Sequence, residues 1–450
     1  MLQVKEDIDE YCNPRKPRIL NYLDVVQAAK LLKPHIKATP CVPARTQEEF
    51  GINIYYKLEF LHRSGCFKER GALYALLKIP VNRRKLGVII AATGNEAIGL
   101  CYHAKKLSIS ATIVAPVTLP LSKVHKINSM DGKLILYGST FAEAITHARA
   151  LAKQKGMVYI NIRDHPHALA GFGTLGLEIM EQAPFADAIL VPIGTGALAA
   201  AIATVVKQKK PSCLVYGVES ENLGLMTKSL EKGEPVSNLS TAVGSLAGNA
   251  LSVNVIGVNA FASANSLLDR VLLVKEDWIA RAMLHLAERE KFIVEGTAAC
   301  TLAAILGFLV PELKQKNVIC LLTGGNVDSL MLNRSLQRGL TAEGRLVKFK
   351  VGVYNKPNAA SDLMKLLATR GYNIITHFID NCWTEGDTCR AEMKIVVESR
   401  NLEHSFDLKR IIDREYPDTA VFDNDLLSNK RCYGSVCKDP HGKRSKLGIS

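Results

Sequence analysis

Lys68 lies in the run Ser64-Gly65-Cys66-Phe67-Lys68-Glu69-Arg70-Gly71-Ala72, where a helix is expected to open. An amine becomes a nucleophile when a closed, partly apolar site desolvates it, and it can then form a Schiff base with an aldehyde. Taken alone, a lysine at a helix start is more often a solvated surface residue. What gives Lys68 chemical weight is a set of three turns further along, each following an apolar run of strand type.

The first turn, Ala92-Thr93-Gly94-Asn95-Glu96, presents N–H groups and an amide side chain where a helix begins. Anions are favoured at such a position; an ordinary cap with Asn95 in a turn conformation explains the residues equally well. The second, Val191-Pro192-Ile193-Gly194-Thr195-Gly196-Ala197-Leu198, lets the backbone close on a phosphate ahead of a helix over 198–206. With Ala199 and Glu219, the same glycines also match a dinucleotide fingerprint, which would make the protein an oxidoreductase using a nicotinamide cofactor. The third, Leu322-Thr323-Gly324-Gly325-Asn326, sets the neutral hydroxyl of Thr323 at a strand end, although a tight turn alone accounts for Gly-Gly.

One cofactor uses all four parts. Lys68 would hold an aldehyde as an imine, and the glycine loop would take a phosphate. Asn95 would bond a phenolic oxygen, and Thr323 would meet a ring nitrogen. Pyridoxal 5'-phosphate has these groups and acts as an electron sink for carbanions.

Over residues 18–343 the chain resembles the serine/threonine dehydratases, the fold-type II pyridoxal-phosphate enzymes that include threonine ammonia-lyase and serine racemase. The family's Ser-Phe-Lys-x-Arg-Gly-Ala reads Cys66-Phe67-Lys68-Glu69-Arg70-Gly71-Ala72, and its Ser-Gly-Gly-Asn reads Thr323-Gly324-Gly325-Asn326. Its Ala-Gly-Gln-Gly-Thr reads Ala170-Gly171-Phe172-Gly173-Thr174, and Glu295 resembles the family's acidic residue near the ring. The resemblance implies cofactor binding by Phe67, Lys68, Asn95, Gly194, Thr195, Gly196, Ala197, Leu198, Glu295 and Thr323. It implies that Lys68 takes the α-proton of an amino acid, and that Thr323 leaves the ring nitrogen largely unprotonated. The result is β-elimination from L-threonine or L-serine to 2-oxobutyrate or pyruvate and ammonia. Thr93 stands where serine racemases carry an acid/base serine, so it is a second candidate catalytic residue. The family also implies a homo-oligomer, a dimer or tetramer.

The departures are specific. The family's Ser-Ala-Gly-Asn-His has become Ala92-Thr93-Gly94-Asn95-Glu96, which loses a serine that helps bind the substrate carboxylate and adds a negative charge near an anionic ligand. The tetraglycine phosphate loop carries Thr195 and Ala197, which would be strained if either needed positive φ; the Thr195 hydroxyl could instead donate to the phosphate. Of the metal site found in some relatives only Glu219 remains, with Leu225 in place of an Asp, so no divalent metal is expected. A decayed member that keeps the fold as a binding or regulatory protein is the alternative to an active dehydratase.

These residues need a scaffold of alternating elements. Strands are predicted at 87–92, 111–115, 133–137, 158–162, 188–192, 214–218 and 318–322. Helices are predicted at 97–106 and between a Thr140/Glu143 capping box and Gly156. Such alternation means an α/β domain with a largely parallel sheet, and sites gather at the carboxyl ends of its strands. The fold-type II resemblance implies two doubly wound open-sheet subdomains, the smaller over about 60–165. After 343 the order becomes βαββαβ: 346–354, 359–370, 372–379, 389–398, 403–416 and 419–422. That order predicts a small ferredoxin-like domain. Over 345–425 it resembles the ACT-like regulatory domain of many threonine dehydratases, but the usual Asp-x-Pro-Gly ligand turn reads Asn355-Lys356-Pro357-Asn358, which puts amino-acid feedback there in doubt.

The bulk composition agrees with an enzyme of this kind. The chain has 450 residues, 48% hydrophobic and 22% charged, enough for two or three domains. Its 11 cysteines are scattered without a CxxC pair, which points to a reducing compartment, the cytoplasm. The N-terminus lacks the apolar core of a signal peptide, and the run 297–310 is too short to span a bilayer. Of the net charge of +14, residues 428–450 supply +5 and are expected to be a disordered basic tail. The +9 left shows no basic stripe with interleaved aromatics, so a nucleic-acid partner is not expected.

Overall fold

The computed structural model of the protein describes residues 10–237, 245–246, 255–380 and 389–423. The chain divides into two units, Met1–Leu332 and Asn333–Ser450. The division falls inside the helix Ser329–Ala342. The expected basic tail at 428–450 lies outside the described residues.

The N-terminal unit holds two sheets. The smaller has four parallel strands in the order Lys133–Leu136, Ala111–Ala115, Val88–Ala91, Val158–Tyr159. Ala111–Ala115 and Val88–Ala91 are buried along their whole length, so continuous apolar runs are what such strands require. The larger sheet has six strands, Cys41–Pro43, Asn53–Leu58, Asn317–Leu322, Ala188–Pro192, Leu214–Ser220 and Arg270–Val274 in spatial order. Its first pair is antiparallel and the rest parallel. The strand Asn53–Leu58 escapes a hydrophobic-pattern reading because Lys57 sits within it. That ammonium is fully buried and bonded to the Thr39 carbonyl (2.6 Å), Glu178 (2.8 Å) and Gln182 (2.9 Å). The capping box at Thr140 and Glu143 forms, and Gly156 closes that helix at φ +68°. The apolar run at 297–310 contributes the buried helix Gly296–Leu306, and no described helix is long and apolar enough to cross a membrane.

Lys68 opens the helix Lys68–Leu77, which is wedged between the helices Asn95–Lys106 and Pro166–Gln182. The crossing depends on two glycines: a Cβ on Gly171 would lie 2.7 Å from the Arg70 carbonyl, and one on Gly71 2.5 Å from the Phe172 ring. Arg70, 1% exposed, anchors the helix from below by donating to Glu59 (2.7 and 2.9 Å) and Glu178 (2.7 and 2.9 Å). A buried guanidinium is tolerated when carboxylates satisfy its fork in this way.

In the C-terminal unit the strands stand in the order Asn373–Asp380, Arg390–Glu398, Leu346–Tyr354, Val421–Phe422, with every neighbouring pair antiparallel. Alternate residues Val347, Phe349, Val351 and Val353 bury against Leu363 and Leu367 of Ala359–Thr369 and Leu408 and Ile412 of Leu402–Glu415. Asn358 caps the first of these helices at φ +74°, the conformation that the glycine of the familiar turn would supply; asparagine tolerates it better than most residues. A cavity of about 440 Å³ is lined by Arg370, Tyr372, Arg400, His404, Asp407, Arg410, Ile411 and Arg414.

Candidate active site

The peptide before Lys68 is fastened to the Thr323 turn by backbone bonds. Phe67 N–H donates to the Thr323 carbonyl (3.0 Å), and Gly325 N–H to the Gly65 carbonyl (3.0 Å). Cys66 and Gly324 form an antiparallel bridge. Residues more than 250 positions apart in sequence are thereby brought to one cleft, with Thr323 at the carboxyl end of Asn317–Leu322. Thr323 is buried, 4% exposed. The Cys66 thiol is pushed up to about 12 by burial and then by Glu295, so it stays protonated and inert. Phe67 tilts against Phe172, ring centroids 5.0 Å apart.

Asn95 and Glu96 open Asn95–Lys106, just past the strand Val88–Ala91. The Asn95 amide donates to both oxygens of Glu295 (3.1 and 2.8 Å) and accepts from Asn326 (2.7 Å), which also donates to the Ser64 carbonyl (2.9 Å). Desolvation raises the Glu295 carboxyl above its ordinary value against the opposing pull of Lys123, Asn95, Lys68 and Lys126. Thr93 is buried at 4% exposure beside this cluster in sequence, and Ala92 is fully buried.

Lys68 Nζ lies 5.9 Å from the centre of the Phe67 ring and also meets an acid. Its Nζ donates to Glu96 Oε1 at 2.5 Å, and Glu96 Oε2 accepts from Arg163 Nε at 3.2 Å. Burial would raise the Glu96 carboxyl, but Lys68 and Arg163 outweigh it and hold it at about 2. The added negative charge is therefore neutralised on the spot.

The Gly194–Leu198 turn leads into the helix Ala197–Lys209. Only Gly196 is left-handed there, at φ +90°, and a Cβ on it would lie 2.6 Å from Met226 Cε. The strain foreseen for Thr195 and Ala197 does not arise, since neither has positive φ. The Thr195 hydroxyl, foreseen as a phosphate donor, instead donates to the Arg163 carbonyl (3.1 Å). Ala197 and Leu198 stand in the first turn of the helix, whose N–H groups have no intrahelical acceptor and suit a phosphate. Glu219, the acidic residue of a dinucleotide reading, accepts from Met226 N–H (3.1 Å), Thr227 N–H (2.9 Å) and the Thr227 hydroxyl (2.7 Å). Its lone pairs cap the helix Leu225–Lys232 and are not offered to a ribose.

Three residues were not singled out from sequence: Lys123, Lys126 and Arg163. Lys123 and Lys126, on Leu121–Asn128, are three apart and therefore share a face. Lys123 Nζ lies 3.1 Å from where a Gly94 Cβ would be, and Lys126 bonds the Asn326 amide oxygen. Their spacing was visible; their reach into this cleft was not.

The residues present fit a phosphorylated aldehyde. An amine at a helix start, an amide after a strand of the smaller sheet, and a hydroxyl and a glycine-lined helix start after strands of the larger sheet supply the groups, and a left-handed glycine leaves room where a side chain would not fit. The family description "Pyridoxal-phosphate dependent enzyme" matches residues 32–324. An L-threonine ammonia-lyase of Thermotoga maritima is 33% identical over 392 residues, covering 86% of this chain and 96% of that one. The processed form of threonine deaminase isoform 2 from Solanum lycopersicum superposes with a TM-score of 0.66 at 31% identity, covering 72% of this chain and 90% of that one. Maize serine racemase superposes with a TM-score of 0.66 at 26% identity, covering 72% and 98%. The cleft at Lys68 and these matches agree: the chain belongs to the pyridoxal-phosphate dependent enzyme family.

Proposed function

We propose that the protein is a pyridoxal-phosphate-dependent ammonia-lyase that converts L-threonine, L-serine or both to 2-oxobutyrate or pyruvate and ammonia. The observation that carries this reading is the backbone pairing of the Lys68 segment with the Thr323 turn, which sets amine and neutral hydroxyl at one cleft. When bound there, the cofactor supplies an electron sink for the α-carbon of an amino acid. Lys68 is the attachment point and then the base that takes the α-proton at Nζ. Gly194, Thr195, Gly196, Ala197 and Leu198 hold the phosphate by backbone N–H groups. Asn95, Glu295 and Phe67 would hold the ring, and the neutral hydroxyl of Thr323 would serve its nitrogen without charging it. By leaving the cofactor uncharged there, Thr323 would favour loss of the β-hydroxyl over transfer of the amino group. Lys123 and Lys126 supply positive charge for the substrate carboxylate, in place of the serine lost at Ala92. Thr93, two residues before Asn95 and buried, is the second catalytic candidate.

Residues 18–343 make up the catalytic part in this reading, and 345–425 an ACT-like regulatory domain. Its antiparallel strand order and its arginine-lined cavity support the latter. The buried thiols of Cys101, Cys213, Cys300 and Cys320 suit a reducing compartment such as the cytoplasm. The strand at one edge of its sheet, Asn373–Asp380, exposes Ile375 and Phe378, which supports a dimer or tetramer.

Borohydride treatment followed by peptide mass spectrometry tests the cofactor assignment. A reduced adduct on Lys68, absent in Lys68→Ala, is expected, together with release of pyruvate from L-serine or 2-oxobutyrate from L-threonine. A Lys68 adduct without either product would mark a family member that keeps the cofactor and has lost the reaction. No adduct at all would overturn the reading.

A further inference from the structure

The family's motif places a histidine where this chain has Glu96, and the structure gives that carboxylate two cations. Glu96 is 6% exposed, so its charge has to be compensated by neighbours rather than by water. Each oxygen is committed to a different partner, Oε1 to Lys68 Nζ at 2.5 Å and Oε2 to Arg163 Nε at 3.2 Å. Arg163 is itself anchored. Its guanidinium carbon lies 4.0 Å from the centre of the Phe141 ring, and its carbonyl accepts from the Thr195 hydroxyl at 3.1 Å. A continuous chain thus runs from the Lys68 nitrogen through Glu96 and Arg163 to the glycine loop.

We propose that Glu96 is a positioning residue for this enzyme's own lysine: pinned by Arg163, it holds Lys68 Nζ in the cleft and stabilises the ammonium formed when that nitrogen takes the substrate's α-proton. The proposal rests on the ammonia-lyase reading. In the step concerned the substrate C–H bond breaks and the proton moves to the lone pair of Nζ. The electron pair remains on the substrate side, where the bound cofactor disperses it. Positive charge develops only at Nζ, next to a carboxylate already fixed in place, and a preorganised counter-charge of this kind lowers the barrier without reorganising. Arg163 Nε keeps its bond to Glu96 Oε2 whatever the charge on Nζ, so the carboxylate does not depend on Lys68 alone for a counter-charge. Among the described residues, Lys123 and Lys126 from Leu121–Asn128 and Glu295 from the start of Gly296–Leu306 also carry charge at this cleft, and none of them has a hydrogen bond to Lys68. A neutral histidine could not provide the same counter-charge.

The test compares wild type with Glu96→Gln, Glu96→Asp and Arg163→Met, first confirming by circular dichroism that each is folded. Glu96→Gln is expected to lower kcat about a hundredfold with KM within a few-fold, a size ordinary for removing one transition-state partner. An α-deuterated substrate should show a larger isotope effect on kcat in that variant, because proton removal becomes slower. Glu96→Asp should recover part of the loss, and Arg163→Met should fall in between. A readout independent of turnover is the acylation of Lys68 in cofactor-free protein, which should be faster in Glu96→Gln because no carboxylate holds the ammonium. Unchanged kcat, isotope effect and acylation in Glu96→Gln, with the Lys68 adduct still formed by borohydride, would overturn the role of Glu96 alone. A wild type that forms no such adduct would overturn the ammonia-lyase reading and this role with it.

Discussion

The Lys68 cleft and the arginine-lined cavity of the C-terminal unit treat charge in opposite ways. In the cleft, Lys68 and Arg163 share Glu96, Asn95 caps Glu295, and Arg70 beneath them fills Glu59 and Glu178. In the cavity four guanidiniums, Arg370, Arg400, Arg410 and Arg414, line the wall with one carboxylate, Asp407, and that one is taken by Arg410. All four are exposed. Buried charges must be matched in pairs because water cannot solvate them, whereas exposed ones can stand in surplus because water and salt screen them. Charge geometry in the cleft is therefore a structural requirement, and in the cavity it is free to serve a ligand.

Removing a cation from each region should sharpen that contrast. Arg70→Met leaves the fully buried Glu59 without its guanidinium while Glu178 keeps Lys57, and breaking a buried pair of this type costs about 3–5 kcal/mol. Thermal and urea unfolding should show a large fall in stability, and little change would mean the network is not needed to hold the Lys68 helix.

Acid should act on the cleft next. Glu96 has a folded-state pKa of about 2 against an ordinary 4.5, a depressed carboxylate, so its contribution is present above about 4.5 and lost as pH falls through about 2. In cofactor-free protein the loss should amount to about 3 kcal/mol, and Glu96→Gln should flatten the acid limb of the stability profile. An acid limb identical in the variant would break the link between burial and pairing on this side of the comparison.

The smallest effect is expected in the cavity. Arg370→Gln with Arg400→Gln should change stability by no more than about 0.5 kcal/mol, upward at low salt as like-charge repulsion is relieved and vanishing at high salt. A loss of several kcal/mol would show that these guanidiniums are structural after all.

Much of the scaffold was legible locally. The strands at 111–115 and 188–192 and the capping box at Thr140 and Glu143 follow from continuous apolar runs and from a side chain reaching its own helix start, both short-range effects. The strand Asn53–Leu58 was not legible, because Lys57 interrupts the apolar pattern and its partners come from Thr39, Glu178 and Gln182. In the site, the lysine, the glycines and the Thr323 turn could be read as motifs. Lys123, Lys126 and Arg163 could not, since a lone basic residue in a helix or loop looks the same whether it faces water or a cleft.

The sequence by itself determined which groups are available: an amine at a helix start, glycines ahead of another helix, an amide and a hydroxyl after apolar strands. Those follow from residue type and neighbours along the chain. Only the tertiary structure decided that Lys68 meets Glu96, that Glu96 is held by Arg163, and that Thr195 bonds the Arg163 carbonyl and is not left to meet a phosphate. Burial forces every charge to find a partner, but which partner lies within reach depends on where separate helices and strands cross, and no local pattern encodes that.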